Sequence, residues 1–314
     1  MLDLTLLLTT IFSIFPVMII GFAMRKLKLF DSSSLRSVSD VILYIAQPFL
    51  IVSSIITVEY SPANLKSGLY VVALTAGAHV LMAVIAFLTT RPFKKLDQKK
   101  VMQLGMIFSN CSFLGFPILR SVLGDRGVFW GAFYAIFFML FFWTYGVFLI
   151  GIGRKDIRIS FKKVFVNFGT VPCYIGIALF LMNLPMPAMV LNLFDSLADI
   201  GTPLSLFLTG GQMAGLPLKR LFADASVYFT AFVKLLLMPA AVLTACIFLG
   251  LSRDMTLFFT IMAALPTASN TSMLSTHYNV MPEYAAQQIG ITTFLSSGTL
   301  ILVIWLADRI LQML

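Results

Sequence analysis

Two short polar stretches interrupt apolar runs and carry residue types that suit the binding of a charged solute. They read "SNCSFLGFP" at 109–117 and "PTASNTS" at 266–272. Backbone that is unwound at membrane depth is tolerated only where protein or a water-filled cavity satisfies its N–H and C=O groups. Helices that restart after such a break present free N–H groups and partial positive charge, which suit an anion such as a carboxylate. The candidate substrate-binding residues are Asn110, Cys111, Ser112, Gly115, Pro117, Pro266, Ser269, Asn270 and Thr271.

A simpler interpretation of the same residues is structural. Pro117 and Pro266 would then only kink their helices, and the polar side chains would bond neighbouring helices. Asn110 and Asn270 can each donate two hydrogen bonds and accept two, so they can serve a substrate or a loose backbone end. The occurrence of matched interruptions in two spans favours a binding site.

Two ionisable side chains lie near the middle of apolar spans, His79 and Lys234. A charge at this depth is costly and usually has a function, so both are candidates for coupling or charge attraction. Lys234 can attract an anionic substrate or pair with Asp195 or Asp199, and His79 can carry a coupled proton. The structural alternatives are a histidine bonded to its own helix and aspartates that cap helices near a membrane face.

The composition identifies the elements that must position these residues. The chain has 314 residues, of which 59% are hydrophobic and 11% charged, with a mean hydropathy of +0.96. Apolar runs of about 20 residues predict an all-α polytopic membrane protein and not a β-barrel, whose strands alternate over about 10 residues. We predict ten transmembrane helices, at 4–24, 36–57, 67–89, 100–122, 127–150, 164–183, 188–213, 224–249, 256–276 and 287–311.

The basic residues predict the orientation of these spans. The odd-numbered loops hold sixteen lysines and arginines and the even-numbered loops hold four, namely Lys66, Arg120, Arg126 and Arg253. The odd loops are therefore predicted to be cytoplasmic, with both termini outside the cytoplasmic (inner) membrane, in the periplasm of a Gram-negative cell. The net charge of +9 is explained by this topology, so the lipid bilayer and not nucleic acid is the expected partner. The three cysteines show no metal-binding spacing.

The two halves of the chain resemble each other at an offset of about 155–160 residues. "DVILYIAQP" ending at Pro48 corresponds to "DSLADIGTP" ending at Pro203, and "SNCS" at 109–112 corresponds to "SNTS" at 269–272. Five spans in each half would insert the second half upside down, which predicts an inverted repeat of residues 1–153 and 154–314. Pro48 and Pro203 are candidate hinges beside the cavity, although simple kinks or chance similarity would leave the same pattern.

Four segments give the chain a family resemblance: "QPFLIVSSI" at 47–55, "SNCSFLGFPIL" at 109–119, "GTPLSLFLTGG" at 201–211 and "ALPTASN" at 264–270. With these segments the whole chain resembles the auxin efflux carrier family, which includes the plant PIN-type carriers. The resemblance implies a scaffold domain and a transport domain drawn from both halves. It also implies spans four and nine that cross at proline-associated breaks and bind organic anions such as malate, malonate or auxin.

The predicted function is therefore a secondary transporter that moves a small organic anion by alternating access, with export the expected direction. A sodium-coupled symporter of bile-acid-like anions and a membrane receptor that does not transport its ligand are the alternatives. The sequence contains no HExxH, GxxxxGK[ST] or GxSxG motif, so we expect no enzymatic activity, catalytic residue or cofactor. A homodimer through one bundle is the expected protein assembly.

Overall fold

The chain folds into helices joined by short connections. The computed structural model describes residues 4–154, 165–166, 169–183, 186–215 and 224–313. Within these ranges the helices are α1 Leu4–Lys26, α2 Ser32–Ile56, α3 Pro62–Thr90, α4 Leu96–Ile107, α5 Cys111–Gly151, α6 Thr170–Met182, α7 Ala188–Asp199, α8 Gly201–Ala214, α9 Ala225–Phe248, α10 Arg253–Ala264, α11 Asn270–His277 and α12 Pro282–Met313. A left-handed Gly124, with φ of 64°, divides α5 into two segments at the point where the sequence predicts a loop.

Each of the ten predicted spans contains helix in this structure. Five helices, α2, α3, α5, α9 and α12, are long and apolar enough to cross a membrane, and α6 is a shorter apolar helix. The part of the chain that the structure describes is therefore helical, with the long apolar helices of a membrane protein. The start of the sixth predicted span and most basic residues of loops five and seven lie outside the described residues.

The helices pack as two bundles. The first, which we call the scaffold bundle, contains α1, α2, α6, α7 and α8, because α1 packs chiefly on α8 while α2 packs on α6 and α7. Ser53 of α2 donates a hydrogen bond to the carboxylate of Asp195 on α7, and Phe49 meets Phe194 edge to face at 5.0 Å. The second, the crossing bundle, contains α3, α4, α5 and α9 to α12 and holds most of the buried aromatic core.

Glycines bring α1 and α8 into backbone contact inside the scaffold bundle. A Cβ built on Gly210 would lie 1.9 Å from the carbonyl oxygen of Met18, and one on Gly21 would lie 2.1 Å from that of Phe207. Small residues at such a crossing let two membrane helices approach closely, so that van der Waals contact holds them together.

Gly210→Ala should therefore destabilise the protein. The new methyl group must push α1 and α8 apart, at a cost of about 1–3 kcal/mol. The thermal unfolding midpoint of the purified protein in detergent measures the loss. Gly298→Ala is the matched control, because a Cβ there meets nothing within 4 Å. Equal midpoints for the two variants would contradict the packing argument.

Short π-helical turns precede three of the prolines. The turns Ile42–Ala46, Cys111–Gly115 and Val233–Leu237 each end two residues before a proline, and these prolines are Pro48, Pro117 and Pro239. Proline lacks an N–H and its ring crowds the carbonyl four residues earlier, so the preceding turn widens to i→i+5 bonding. As a result, Cys111 and Lys234 both lie in widened turns, and Gln47 directly follows one.

Candidate functional site

The two predicted interruptions meet in the middle of the crossing bundle. α4 ends at Ile107 and α5 begins at Cys111, while α10 ends at Ala264 and α11 begins at Asn270. Between these helix ends, the two connecting segments run antiparallel and pair like a fragment of β-sheet. The N–H of Asn110 donates to the carbonyl of Pro266 at 2.8 Å, and the N–H of Ala268 donates to the carbonyl of Phe108 at 2.9 Å. We call residues 108–110 and 266–268 the crossing.

Neighbouring helices satisfy further polar groups of the crossing. The hydroxyl of Thr267 donates to the carbonyl of Gly105 at 2.9 Å, and the N–H of Thr267 donates to the hydroxyl of Thr292 at 3.2 Å. Gln288 packs where Gly105 has no side chain and donates to the carbonyl of Met102 at 3.2 Å. Unwound backbone at this depth therefore has the protein partners that a membrane interior requires.

Two helix N-termini face the crossing. Asn110 precedes the first turn of α5, and Ser269 precedes the first turn of α11. The first N–H groups of a helix lack intrahelical acceptors and carry a partial positive charge, so both ends favour an anion between them. Pro266 contributes its carbonyl to the pairing, as an acceptor for Asn110.

Three amide side chains converge beside these helix ends. Asn110, Asn270 and Gln47 of α2 all line one small cavity at the crossing, and within the described residues none of the three has a side-chain hydrogen bond. Asn110 is 6% exposed and Gln47 is 3% exposed. An amide buried without a partner loses hydrogen bonds that it would make in water. These groups are therefore available for a ligand.

The other predicted site residues take three different positions. Cys111, Ser112 and Ser269 line the same small cavity as the two asparagines. Thr271 is fully buried, and neither its hydroxyl nor that of Ser269 has a hydrogen-bond partner in the described part of the chain. Gly115 packs against the opposite break, since a Cβ there would lie 2.9 Å from Leu265.

Lys234 lies directly behind the crossing. Its side chain is fully buried, and Nζ donates a hydrogen bond to Oγ of Ser109 at 2.6 Å. Among the described residues it forms no ion pair: Asp195 accepts from Ser53, and Asp199 is exposed at the end of α7. Lys234 therefore contacts the crossing through Ser109 and does not line the cavities beside it.

His79 occupies an aromatic enclosure on the other side of Phe108. Nδ1 lies 2.9 Å from the carbonyl of Thr75 on the same helix, and Nε2 is buried without a partner among the described residues. The rings around it have centroids 5.2–6.1 Å away and belong to Phe108, Tyr134, Phe137, Phe138 and Phe141. This histidine contacts the crossing only through packing, so its predicted role in coupling stays a prediction.

An apolar cavity of about 340 Å³ adjoins the amides. Gln47 and Asn270 lie at its polar side, and the remaining wall is mainly aliphatic, aromatic and methionine side chains, including Leu43, Met139 and Trp143. The lining contains no lysine or arginine of the described residues. A ligand here can place an anionic group at the amides and an apolar group against this wall.

A larger cleft of about 710 Å³ separates the two bundles and leads away from the crossing. Asn270 and Phe113 lie at its inner end, and Arg25, Arg36 and Glu283 line it as well. Arg25 donates to the carbonyl of Phe30 at 3.0 Å and to the hydroxyl of Ser32 at 2.8 Å, so α1 and α2 are bonded at the rim. The crossing is thus reached through an opening bordered by loop-one arginines.

The N-cap of α2 is formed at the same rim. The carboxylate of Asp31 accepts hydrogen bonds from the N–H and the hydroxyl of Ser34, each at 2.7 Å. These bonds lower the pKa of the Asp31 carboxyl, because they favour its charged form. α2, which carries Gln47, therefore begins at a defined residue.

Sequence reasoning anticipated the breaks and their asparagines but not Gln47. The available signal was an amide inside the apolar run of the second span, directly before Pro48. Pro48 and Pro203 lie at matched positions, Pro48 within α2 and Pro203 in the first turn of α8. Their predicted action as hinges stays a prediction.

Comparisons with known proteins match the chain to membrane transporters. The model of a family described as "Membrane transport protein" matches residues 6–167 and 157–305. A protein of Rhizobium meliloti (strain 1021), named as a malonate transporter, is 33% identical over 152 residues, which are 48% of this chain and 44% of that protein. An uncharacterized transporter of Methanothermobacter thermautotrophicus is 24% identical over 294 residues, covering 91% of this chain and 94% of its own length.

Proposed function

Since the chain belongs to the membrane transport protein family, which is auxin efflux carrier-like, we propose that it carries a small organic anion across the cytoplasmic membrane, with the crossing as its substrate site. One observation carries the proposal. Two helix N-termini and the amides of Gln47, Asn110 and Asn270, which have no side-chain hydrogen bond within the described residues, meet at a cavity of about 10 Å³. Gln47 and Asn270 also line the adjoining cavity of about 340 Å³, which has room for a substrate.

The chemistry of these groups favours a carboxylate. Helix N-termini and amide N–H groups are hydrogen-bond donors that suit an anion. The side-chain nitrogen of Lys234 donates a hydrogen bond to Ser109, the residue directly before Asn110, so a positive charge on Lys234 adds to the local positive potential. Hydrogen bonds to a charged group contribute about 1.5–3 kcal/mol each, enough to replace part of the water that a carboxylate loses.

The apolar wall beside the amides favours a substrate with one carboxylate and a compact apolar or aromatic body. The name of the Rhizobium relative refers to malonate, which has two carboxylates. A second charge in this cavity would face Leu43, Met139 and Trp143; among the described residues the lining contains His277 but no lysine or arginine, so no permanent positive charge pairs with it. Burying an unpaired carboxylate there is costly, so we rank monocarboxylates ahead of malonate or malate.

The proposed mechanism is alternating access by two inverted five-helix halves, 1–153 and 154–314. The crossing bundle would move past the scaffold bundle and carry the bound anion with it. If loop one is cytoplasmic, as its positive charge predicts, the cleft lined by Arg25 and Arg36 is the cytoplasmic opening. An inside-negative potential of 100 mV would then drive export by about 2.3 kcal/mol per anionic charge.

Flux measurements in proteoliposomes test this function. Radiolabelled benzoate, indole-3-acetate and malonate are loaded into vesicles, and their release is followed with and without an imposed potassium diffusion potential. We expect voltage-dependent release of a monocarboxylate without sodium or a pH gradient. Release that requires a sodium gradient would favour the symporter alternative. Saturable binding without release would favour the receptor.

A further inference from the structure

Phe113, in the first turns of α5, has a backbone carbonyl that cannot receive its usual helical hydrogen bond. In an α-helix that carbonyl would accept from the N–H of residue 117, which is Pro117 and has none. The hydroxyl of Thr202 donates to it instead, at 3.0 Å. Thr202 lies at the start of α8 in the scaffold bundle, so this hydrogen bond spans the interface between the two bundles.

The packing of the Phe113 side chain supports the same hydrogen bond. The side chain of Phe113 is 5% exposed, and its ring lies against Gly201, where a Cβ would approach to 3.0 Å. Gly201 therefore lets α8 come close enough for the hydroxyl of Thr202 to reach the carbonyl. Phe113 also lines the cleft between the bundles, so the hydrogen bond lies beside the access route to the crossing.

We propose that Thr202 is a positioning residue whose hydroxyl replaces the missing N–H of Pro117 and holds the crossing against the scaffold bundle while the cleft is open. The proposal rests on the proposed function in assuming that the two bundles move past each other. Movement of the crossing bundle must break this bond, and Pro117 has no N–H to take the place of the hydroxyl. Thr202 thus favours the conformation described here, in which the cleft is open, over the conformation in which the crossing bundle has moved and the site opens on the other side of the membrane.

The accessibility of a cysteine in the cleft provides a measurement that needs no substrate. Thr276 is exposed on α11 and lines the cleft, and the three native cysteines are buried. Thr276→Cys should react with a membrane-impermeant maleimide added from the side of loops one and nine. The native chain, which lacks this accessible thiol, gives the background rate.

Substitution of Thr202 in the Thr276→Cys protein should lower the labelling rate. Thr202→Val removes the donor, and loss of one hydrogen bond to a buried carbonyl corresponds to about a fivefold shift between the two conformations. Thr202→Ser keeps a hydroxyl and should label like the parent. Thr209→Val is the matched control on the same helix, because that hydroxyl bonds the carbonyl of Ser205 within α8.

A double-substitution test separates this mechanism from a general effect on packing. Pro117→Ala restores an N–H that can reach the Phe113 carbonyl, so the effect of Thr202→Val should largely disappear in that background. An unchanged effect would overturn the proposal, as would equal labelling of the Thr202→Val and Thr202→Ser proteins. If Thr202→Val does not fold, Thr202→Ala makes the same test. If labelling follows these expectations but the protein shows no carboxylate flux, the proposed function is contradicted and the role of Thr202 is not.

Discussion

Replacing Asn110 and Asn270 together by alanine should abolish transport while leaving the fold intact. Both amides face the cavity, and neither forms a side-chain hydrogen bond with another described residue. The backbone bond from Asn110 to Pro266 does not involve the side chain and remains. If each amide donates to the substrate carboxylate, each loss costs about 1.5–3 kcal/mol, and the double variant should lose transport efficiency by more than about a hundredfold.

The measurement is the initial rate of carboxylate release from proteoliposomes over a range of substrate concentrations. Each single variant should raise the apparent KM by roughly tenfold or more, according to the same energy per hydrogen bond. Asn192→Ala serves as the control, because Asn192 is exposed on α7 away from the cavities. If the double variant transports at the parental rate, the substrate does not bind at the crossing.

Lys234→Met should give a protein that folds well and transports poorly. A buried lysine carries a large desolvation cost, and methionine fills a similar volume without it, so the thermal midpoint should stay equal or rise. The substitution removes the donor to Ser109 and the positive charge behind the crossing. We therefore expect carboxylate flux to fall by at least about tenfold, the effect of about 1.4 kcal/mol on binding.

Two comparisons make the lysine experiment specific. Lys66→Met removes a basic side chain that is exposed at the start of α3 and should leave flux unchanged. Ser109→Ala combined with Lys234→Met should cost little more than Lys234→Met alone, because the lysine would act through that hydroxyl. Additive losses would show that Lys234 acts by another route, and normal flux in Lys234→Met would remove it from the mechanism.

The sequence was sufficient to predict the helical breaks but not their pairing. Asn110 and Pro117 in one apolar run, and Pro266 and Asn270 in another, are local signals, and the structure interrupts helix at both places. The hydrogen bonds from Asn110 to Pro266 and from Ala268 to Phe108 join segments more than 150 residues apart. No local periodicity encodes such a contact, because it depends on how the two bundles assemble.

The partners of the buried polar residues were also beyond sequence reasoning. The depth of Lys234 in its span was predictable, but the candidate partners were Asp195 and Asp199, while the structure gives it Ser109. Aspartates near a helix end and a serine at a break are equally compatible with the pattern of residues. Gln47 was missed for a related reason: a single amide in an apolar helix is common, and only the cavity shared with Asn270 distinguishes it.

The pairing at the crossing has a consequence for biogenesis. The carbonyl of Phe108 and the N–H of Asn110 find their backbone partners only in residues 266–268 of a 314-residue chain. A nascent chain is synthesised from its N-terminus, so these groups stay unmatched during most of translation. Backbone groups without hydrogen bonds have a high free-energy cost in lipid. In the first half of the chain, these groups must therefore be hydrogen-bonded by water or kept out of lipid by the insertion machinery until the second half is inserted. Fragments that end before residue 266 should be poor at maturing and prone to degradation.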